Sequence, residues 1–378
     1  MGSHPPARLI VASPEHSSDL FYKTGFLAPD PVVFLEQDAK TSLLVSPLEF
    51  ARARATARVT EVLSLESLRS ALQSPGETLK LPELLGRFLL SKQIESLLVP
   101  PDFPAVFYVG LSAMGLRVDV QQELPFFPER LQKSRQEVGW IKVAIEATEH
   151  ALQVVVDILK RARVVEGRVV LEGEPLTSER LRNALDRTLF ENGLLAQHTI
   201  VASGPLSALP HEEGHGPILA HTPIVVDVFP RSLQTRYFAD ITRTFVKGRP
   251  SERLERMYYA VLKAQEIAIE RLRAGVSASS VHRAVVAHFE ASGFSTDMTA
   301  KLPFGFIHTT GHGLGLDIHE PPRVGNEDIL LPEGAVVTVE PGLYYPDIGG
   351  VRIEDDVVLT IDGLEVLSSF PKDRWVFP

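Results

Sequence analysis

Apolar residues in the second two thirds of the chain repeat every three, four or seven positions along four separate stretches. This spacing puts them on one face of an α-helix, where they can pack against a core. Ser178 and Ser251 stand where helix N-caps belong, and Gly193 and Gly275 stand where left-handed helix ends belong. The pattern therefore predicts four helices, at residues 129–163, 178–193, 251–273 and 280–293.

Four other stretches of the same region are rich in Val, Ile, Thr and Phe and are bordered by glycine or proline, which is typical of β-strands. They cover residues 224–229, 237–246, 335–345 and 350–361. The helices form one group along the chain and the strands largely another. This order favours an α+β domain over a doubly wound sheet.

The first third of the chain mixes shorter elements and is predicted to be a separate α/β domain. Strands are predicted at 31–38 and 42–46, and helices at 49–57 and 67–73. The segment LPFFP at 124–128 has two prolines, which disfavour helix in the residues before them. Because 378 residues usually make two domains, we expect domains at 1–126 and 127–378.

Composition narrows the classes of function. The net charge of −10 and the absence of a basic patch argue against a nucleic-acid partner. There is no cysteine, so a metal ion would have to be held by His, Asp or Glu. The N-terminal residues lack the apolar run of a signal peptide, and no segment has the apolar length of a membrane helix. A soluble cytoplasmic protein without a membrane partner is expected.

Four acidic residues interrupt strands that otherwise suit a core: Asp227, Asp240, Glu340 and Glu354. Any one of them could face solvent or pair with an arginine. The four strands could, however, form one sheet, and converging carboxylates repel one another unless a multivalent cation lies between them. Two divalent ions bridged by carboxylates would neutralise such a cluster.

Histidines are dense in one glycine-rich segment. His308, His312 and His319 fall within twelve residues, and His211 is a fourth candidate. A lone histidine is usually a satisfied core or surface residue, but this density indicates a site. The glycines around His312 do not form a dinucleotide fingerprint, and the chain has neither a phosphate-binding P-loop nor a GxSxG nucleophile elbow.

These residues fall in motifs that resemble those of the pita-bread, M24-type metallopeptidases, which include methionine aminopeptidase, aminopeptidase P, prolidase and the metal-free creatinase. The motifs are His211, Asp227, DITRTF at 240–245, HTTGHGLGLDIHE at 308–320, VEPGLY at 339–344 and VRIED at 351–355. The stretch DLFYKTGFLAPDP at 19–31 is similar to the creatinase-like domain that precedes the catalytic domain in prolidases and aminopeptidases P. The resemblance implies a creatinase-like α/β domain followed by a pita-bread catalytic domain.

The resemblance also implies roles for individual residues. Its five metal ligands correspond to Asp227, Asp240, His312, Glu340 and Glu354, with Asp240 and Glu354 bridging two ions. Its substrate-binding or intermediate-stabilising histidines correspond to His211, His308 and His319, and its hydrogen-bonding or proton-relay residues to Tyr344 and Arg352. Creatinase-type members lose the acidic ligands, so their retention here argues for a metallopeptidase.

One spacing departs from the family pattern. Asp240 follows Asp227 by thirteen positions, whereas related enzymes usually place the two aspartates closer. The connection between the two strands is therefore expected to be longer. Pro230 and Arg231 are expected at its turn, away from the metals.

A ligand set of four carboxylates and one imidazole suits Mn²⁺ first, and Co²⁺ or Zn²⁺ can also bind it. Solvent between two such ions becomes the nucleophile, and Glu340 is expected to pass its proton to the leaving nitrogen. The resemblance implies cleavage of Xaa-Pro bonds in short proline-containing peptides by a homodimer. A prolidase acting on dipeptides is favoured over an aminopeptidase P, with Arg323 either binding the dipeptide carboxylate or lying solvated in a loop. A silent peptide-binding member of the fold and a metal-free amidinohydrolase are the rival classes.

Overall fold

The computed structural model describes residues 5–378, which separate into two compact units. The first unit extends to Arg130, and the second covers Leu131–Pro378. The boundary predicted from the sequence lies between residues 126 and 127. None of the described helices is both long and apolar enough to cross a membrane.

The N-terminal unit is built on one mixed six-stranded sheet with the strand order β4-β3-β2-β1-β5-β6. Its strands are β1 (Ala7–Ala12), β2 (Val32–Gln37), β3 (Lys40–Val45), β4 (Glu61–Ser64), β5 (Ser96–Val99) and β6 (Arg117–Val120). Its helices are α1 (Ser18–Thr24), α2 (Pro47–Thr56), α3 (Leu65–Leu72), α4 (Leu81–Ser91) and α5 (Ala105–Ala113). The two antiparallel pairs are β1 with β2 and β2 with β3.

Successive residues of the central strands belong to opposite cores of this sheet. Leu9 packs into one apolar cluster and Ile10 into the other, and Val33 and Phe34 divide in the same way. Because side chains alternate across a strand, a sheet buried on both faces needs continuous apolar runs instead of alternating ones. This requirement explains runs such as VVFL at 32–35.

The C-terminal unit contains four helices among the described residues, and they correspond to the four predicted ones. They are α6 (Arg135–Arg161), α7 (Ser178–Glu191), α8 (Glu252–Arg271) and α9 (Ala278–Ala291). The 3₁₀ turn Pro128–Leu131 precedes α6, whose N-cap Ser134 and Glu137 exchange hydrogen bonds in a capping box. The helix therefore begins six residues later than its pattern predicts.

Two predicted N-caps have different outcomes. Ser251 caps α8, since its side chain accepts the Leu254 N–H, as predicted. The prediction that Ser178 caps α7 is wrong: Thr177 is the cap and accepts the Arg180 N–H, while Ser178 is the first helical residue. Either hydroxyl suits the position chemically, and the start of the helical turn decides between them.

The strands of the C-terminal unit form several small sheets. Its strands are β7 (Arg163–Val165), β8 (Arg168–Leu171), β9 (Glu174–Pro175), β10 (Leu194–Leu195), β11 (Ile200–Ser203), β12 (Pro223–Val228), β13 (Arg231–Ser232), β14 (Ile241–Lys247), β15 (Gly311–Gly313), β16 (Glu320–Val324), β17 (Val336–Val339), β18 (Gly342–Tyr345), β19 (Gly349–Arg352), β20 (Asp355–Leu359), β21 (Leu364–Val366) and β22 (Val376–Phe377). The two larger sheets have the orders β11-β12-β14-β22 and β16-β15-β17-β20-β21, and β18 pairs with β19. Apolar faces of α8 and α9 pack with β17, β19 and β20 in the main core of this unit.

Two predicted strands are broken where they carry an acid. Glu340 and Pro341 separate β17 from β18, and Ile353 and Glu354 separate β19 from β20. Pro341 has no N–H to donate to a ladder, which favours a break at that point. The consequence is that the two glutamates lie at strand ends.

The connection between β12 and β14 continues as a hairpin beyond the paired region. The Ala239 N–H donates to the Pro230 carbonyl, and Arg231 pairs with Leu195 in β10. The turn follows at residues 233–236, where Arg236 has a φ of 67°. The expectation that Pro230 and Arg231 form the turn is therefore wrong, because the Pro230 carbonyl is still hydrogen-bonded across the hairpin and Arg231 lies in β13.

Candidate functional site

A single cavity of about 1110 Å³ in the C-terminal unit collects every residue that the sequence singled out for chemistry. Its lining includes Asp227, Asp240, Glu340, Glu354, His211, His308, His312, His319, Arg323, Tyr344 and Arg352. These residues come from positions between 211 and 354, so the fold has to assemble the cavity from several strands and loops. The cavity is the candidate functional site.

The acids do not share one sheet, contrary to the sequence-based expectation. Asp227 lies in β12 and Asp240 directly before β14, both in the four-stranded sheet. Glu340 follows β17 and Glu354 precedes β20, which are neighbours in the five-stranded sheet. The carboxylates therefore converge from two sheets across the cavity.

Three of these residues form a compact group of potential metal ligands. One ligand atom each of Asp240, His312 and Glu354 lies within 4.8 Å of the other two, and all three residues are buried. Glu340 adjoins the group, with its Oε1 3.5 Å from His312 Nε2. Asp227 lines the same cavity and lies in the strand paired with β14.

The carboxylates of this group are short of positive partners. Burial raises the pKa of Asp240, and the nearby charges of Glu354 and Asp227 raise it further. Burial likewise raises the pKa of Glu354, with Glu340 and Asp227 adding to the effect. The buried atoms Asp227 Oδ1 and Asp240 Oδ1 have no hydrogen-bond partner among the described residues. A cation between these oxygens would supply the missing charge and the missing contacts, so the residues fit a metal ion.

Close main-chain packing fixes the position of His312. A Cβ atom at Gly311 would lie 1.9 Å from the Thr338 carbonyl oxygen, and one at Gly313 would lie 2.4 Å from that of Pro321. The His312 N–H donates to Thr338 Oγ1 over 3.1 Å, and Nδ1 lies 3.1 Å from the Gly313 carbonyl oxygen. This contact orients Nε2 toward the carboxylates. Burial lowers the pKa of His312 to about 3, so the ring is neutral, as a metal ligand must be.

A hydrogen-bonded chain connects a cavity histidine to Asp227. The Tyr344 hydroxyl lies 3.0 Å from His308 Nε2, and Arg352 Nη1 donates to that hydroxyl over 2.6 Å. Arg352 Nη2 donates to Asp227 Oδ2 over 2.5 Å. Burial, with the charge of Arg352, lowers the pKa of His308 to about 3. Because His308 Nδ1 faces the Thr309 carbonyl, Tyr344 donates to Nε2 and accepts from Arg352.

The remaining predicted residues line the cavity around this centre. His319 is exposed toward the cavity, with its ring centroid 4.4 Å from that of His312, and partial desolvation together with the charge of Arg323 lowers its pKa. Arg323 is exposed and has no ion-pair partner within residues 5–378. His211 lies in the loop that follows the 3₁₀ turn Gly204–Ala208.

Three further residues, not singled out from the sequence, hold the acids in place. Thr242 Oγ1 donates to Glu354 Oε2 over 2.6 Å, and Thr338 Oγ1 donates to Glu340 Oε1 over 3.4 Å. Asp356 Oδ2 accepts the Asp240 N–H over 2.9 Å. Each of the three lies two positions from a predicted ligand, which is the spacing of one strand face. That spacing was visible in the sequence.

The sequence is similar to a known protein family and to several of its members. Residues 139–361 match the sequence model of Metallopeptidase family M24. An Xaa-Pro dipeptidase of Pyrococcus furiosus is 34% identical over 250 residues, a match that spans 65% of this chain and 65% of that enzyme's own length. An Xaa-Pro dipeptidase of Lactobacillus delbrueckii subsp. lactis is 28% identical over 383 residues, covering 97% of this chain and 94% of the relative.

Solved structures match the whole fold. The X-Pro aminopeptidase from Thermotoga maritima MSB8 superposes with a TM-score of 0.79 at 26% identity, covering 98% of this chain and 97% of that one. The prolidase from Pyrococcus horikoshii OT3 gives 0.78 at 26% identity, covering 98% and 95%. The predicted order of an α/β domain and a pita-bread domain is confirmed. The chain belongs to metallopeptidase family M24 and is related to Xaa-Pro dipeptidases.

Proposed function

We propose that the protein is a dinuclear-metal hydrolase that cleaves the Xaa-Pro bond at the N-terminus of short peptides, with Xaa-Pro dipeptides as its preferred substrates. The observation that carries the proposal is the convergence of five potential ligands on one cavity, next to Arg323, which has no ion-pair partner in the part of the chain that the structure describes. The relatives named above are Xaa-Pro dipeptidases, and a structural neighbour is an X-Pro aminopeptidase.

Asp227, Asp240, His312, Glu340 and Glu354 would hold the two ions. Oxygen-rich ligands favour Mn²⁺, and Co²⁺ or Zn²⁺ can replace it. When bound, the ions supply an acidic solvent molecule and polarise the scissile carbonyl. Arg352 orients Asp227 through its 2.5 Å hydrogen bond, and Thr242 orients Glu354.

Glu340 is the proposed carrier of the proton. Without a bound ion, burial raises the pKa of Glu340 to about 7, so this carboxylate takes up a proton more readily than an exposed one. Its Oε2 lies 3.9 Å from His308 Nδ1. Both nitrogens of the His308 ring are hydrogen-bonded. The ring can therefore contact a substrate only if its hydrogen bond to Tyr344 or to the Thr309 carbonyl breaks.

Arg323 is the proposed carboxylate-binding residue. The proline carboxylate of a dipeptide ends close to the scissile bond, so a cation on the cavity wall can pair with it. A charge-assisted hydrogen bond of this kind contributes about 1.5–3 kcal/mol. A longer peptide has an amide at that position and gains no such pairing, which makes aminopeptidase P the second candidate activity.

Comparing a dipeptide with the tripeptide that extends it tests the proposal. Purified, Mn²⁺-loaded protein is expected to cleave an Xaa-Pro dipeptide faster than the corresponding Xaa-Pro-Yaa tripeptide. Arg323→Ala should narrow the difference, whereas Arg374→Ala, an exposed arginine outside the cavity lining, should leave it unchanged. Faster cleavage of the tripeptide would assign aminopeptidase P activity. Binding of both peptides without cleavage would assign a silent peptide-binding protein.

We also propose that the chain acts as a homodimer in the cytoplasm. The dimer follows from the family resemblance, in which the N-terminal domain of a neighbouring subunit helps to wall the site. Light scattering at micromolar concentration should give twice the 41.6 kDa chain mass. A monomer with full activity would remove the neighbouring subunit from the site.

A further inference from the structure

One hairpin presents three of the cavity residues. Strands β15 and β16 pair antiparallel, with Gly313 opposite Glu320, and the loop of residues 314–319 joins them. The hairpin carries His312 in β15, His319 directly before β16 and Arg323 within β16. The position of His319 and Arg323 in the cavity therefore depends on how this loop and the start of β16 are held.

The back of this hairpin contacts a buried ion pair. Lys133 Nζ pairs with Glu320 Oε1, and the two side chains are only 2% and 3% exposed. Glu320 is not part of the cavity lining, whereas its neighbour His319 is. The pair also touches the loop itself, because a Cβ atom at Gly315 would lie 2.5 Å from Glu320 Oε1 and 3.0 Å from Lys133 Cε.

Helix stability does not account for this lysine. Lys133 immediately precedes Ser134, the N-cap of α6, so its charge stands near the positive end of the helix dipole, where a cation is disfavoured. Burying a lysine also restricts a flexible side chain. Its main-chain N–H donates to the Gly334 carbonyl over 2.8 Å, which fixes the direction from which the side chain reaches Glu320.

We propose that Lys133 is a positioning residue: acting through Glu320, it holds the segment that presents His319 and Arg323 to the cavity. Main-chain contacts hold the other side of the loop, with Leu314 donating to the Val336 carbonyl and Phe238 donating to the Gly315 carbonyl. Glu320 adds an anchor at the C-terminal end of the loop. The catalytic part of this inference rests on the proposed function, whereas the anchoring part does not.

Hydrogen exchange tests the anchoring independently of activity. In Lys133→Met the side chain keeps a similar length but loses its charge, so amides of residues 314–324 should exchange faster by about tenfold or more while those of α8 and α9 keep their rates. Lys133→Arg should restore protection. Arg130→Met breaks the pair between buried Arg130 and partly buried Asp19, both in the N-terminal unit, and should leave this segment unchanged.

Kinetics of the same variants test the positioning. Lys133→Met should keep its metal content and lose roughly 10- to 100-fold in kcat/KM for an Xaa-Pro dipeptide, with KM raised because Arg323 moves and kcat lowered because His319 moves. Lys133→Arg should recover most of the loss. If Lys133→Met does not fold, the double variant Lys133→Met with Glu320→Gln removes the stranded charge and should show the same loss.

Three results would overturn the inference. The first is wild-type exchange over residues 314–324 in Lys133→Met. The second is faster exchange throughout the C-terminal unit, which would make the pair a general stabiliser. The third is unchanged kcat/KM in a variant whose hairpin is loosened. If the wild-type protein cleaves no Xaa-Pro peptide, the proposed function fails, and the exchange data alone decide whether Lys133 anchors the hairpin.

Discussion

Two successive acids, Glu354 and Asp355, are both buried and yet lie in opposite electrostatic surroundings. Asp355 accepts hydrogen bonds from Arg243 over 2.7 Å and from Ser368 over 2.6 Å, and it also pairs with Lys372. Burial alone would raise the pKa of Asp355, but these cations and the hydroxyl hold it below its ordinary value. The protein itself supplies the positive charge that this acid needs.

Glu354 faces the cavity, where burial and the charges of Glu340 and Asp227 raise its pKa well above the ordinary value, although the charge of Arg352 opposes this effect. Both acids are therefore buried, and they differ in the basic side chains that surround them. A protein that neutralises Asp355 with two of its own basic side chains but leaves Glu354 among acids has left room for a cation from outside. This contrast supports the metal centre independently of the sequence motifs.

Removing the metal should have the largest effect, because it leaves the negative charges around Glu354 without a neutralising cation. A chelator is expected to abolish peptide hydrolysis and to lower the melting temperature, and Mn²⁺ should restore both. Glu354→Gln should lose at least one metal ion, measured by elemental analysis, together with activity. Full activity in metal-free protein would contradict the proposed centre.

Removing Arg243, a basic partner of Asp355, should destabilise the fold. Arg243→Met strands part of a buried negative charge, which typically costs about 3–5 kcal/mol of unfolding free energy. Urea denaturation would measure this loss. Lys263→Met, which breaks an exposed pair with Glu266 on α8, is the matched control and should change stability little. Equal effects of the two variants would mean that Asp355 does not depend on Arg243.

Removing cavity histidines should separate turnover from metal binding. His308→Ala and His319→Ala are expected to keep the metal content and to lose about 100-fold in kcat, since in the proposed function these rings act on the substrate and not on the ions. Elemental analysis beside steady-state kinetics would check this. Loss of metal from either variant would make that histidine a ligand.

A smaller effect should appear in the pH dependence of metal-free protein. The pKa of Glu340 is raised to about 7 in the folded chain, so the folded state holds a proton that the unfolded state releases at lower pH. The contribution of Glu340 to the free energy of unfolding is therefore present at low pH and is lost as the pH rises toward about 7. Metal-free wild type should lose several degrees in melting temperature relative to Glu340→Gln between about pH 5 and pH 7. A constant difference would contradict the raised value.

The sequence was most informative where chemistry needs particular residue types. Asp240, His312 and Glu354 could be singled out because a carboxylate in a valine-rich strand or a histidine among glycines is costly without a purpose. The sequence did not show that the acidic residues come from two different sheets. A valine-rich run is predicted as one strand even where Glu340 or Glu354 interrupts it.

Contacts across the fold were harder to predict. The pairing of Lys133 with Glu320 joins positions 187 residues apart, and neither residue breaks a local pattern. Arg243 and Asp355 lie inside the strands predicted at 237–246 and 350–361, and nothing near them in the sequence indicates that they pair with each other in the core. Such pairs depend on which elements the core brings together, and no local spacing encodes that.

The contact between Gly311 and Thr338 gives the cavity one fixed wall. A Cβ atom at Gly311 would lie 1.9 Å from the Thr338 carbonyl oxygen, so two main chains already touch there, and the strands bearing His312 and leading to Glu340 cannot come closer. Asp227 and Asp240 come from the other sheet, and Arg352 holds Asp227 there through its hydrogen bond to Oδ2. The distance between His312 and Glu340 is therefore set by main-chain contact, and a change in that distance would require one of the two strands to move.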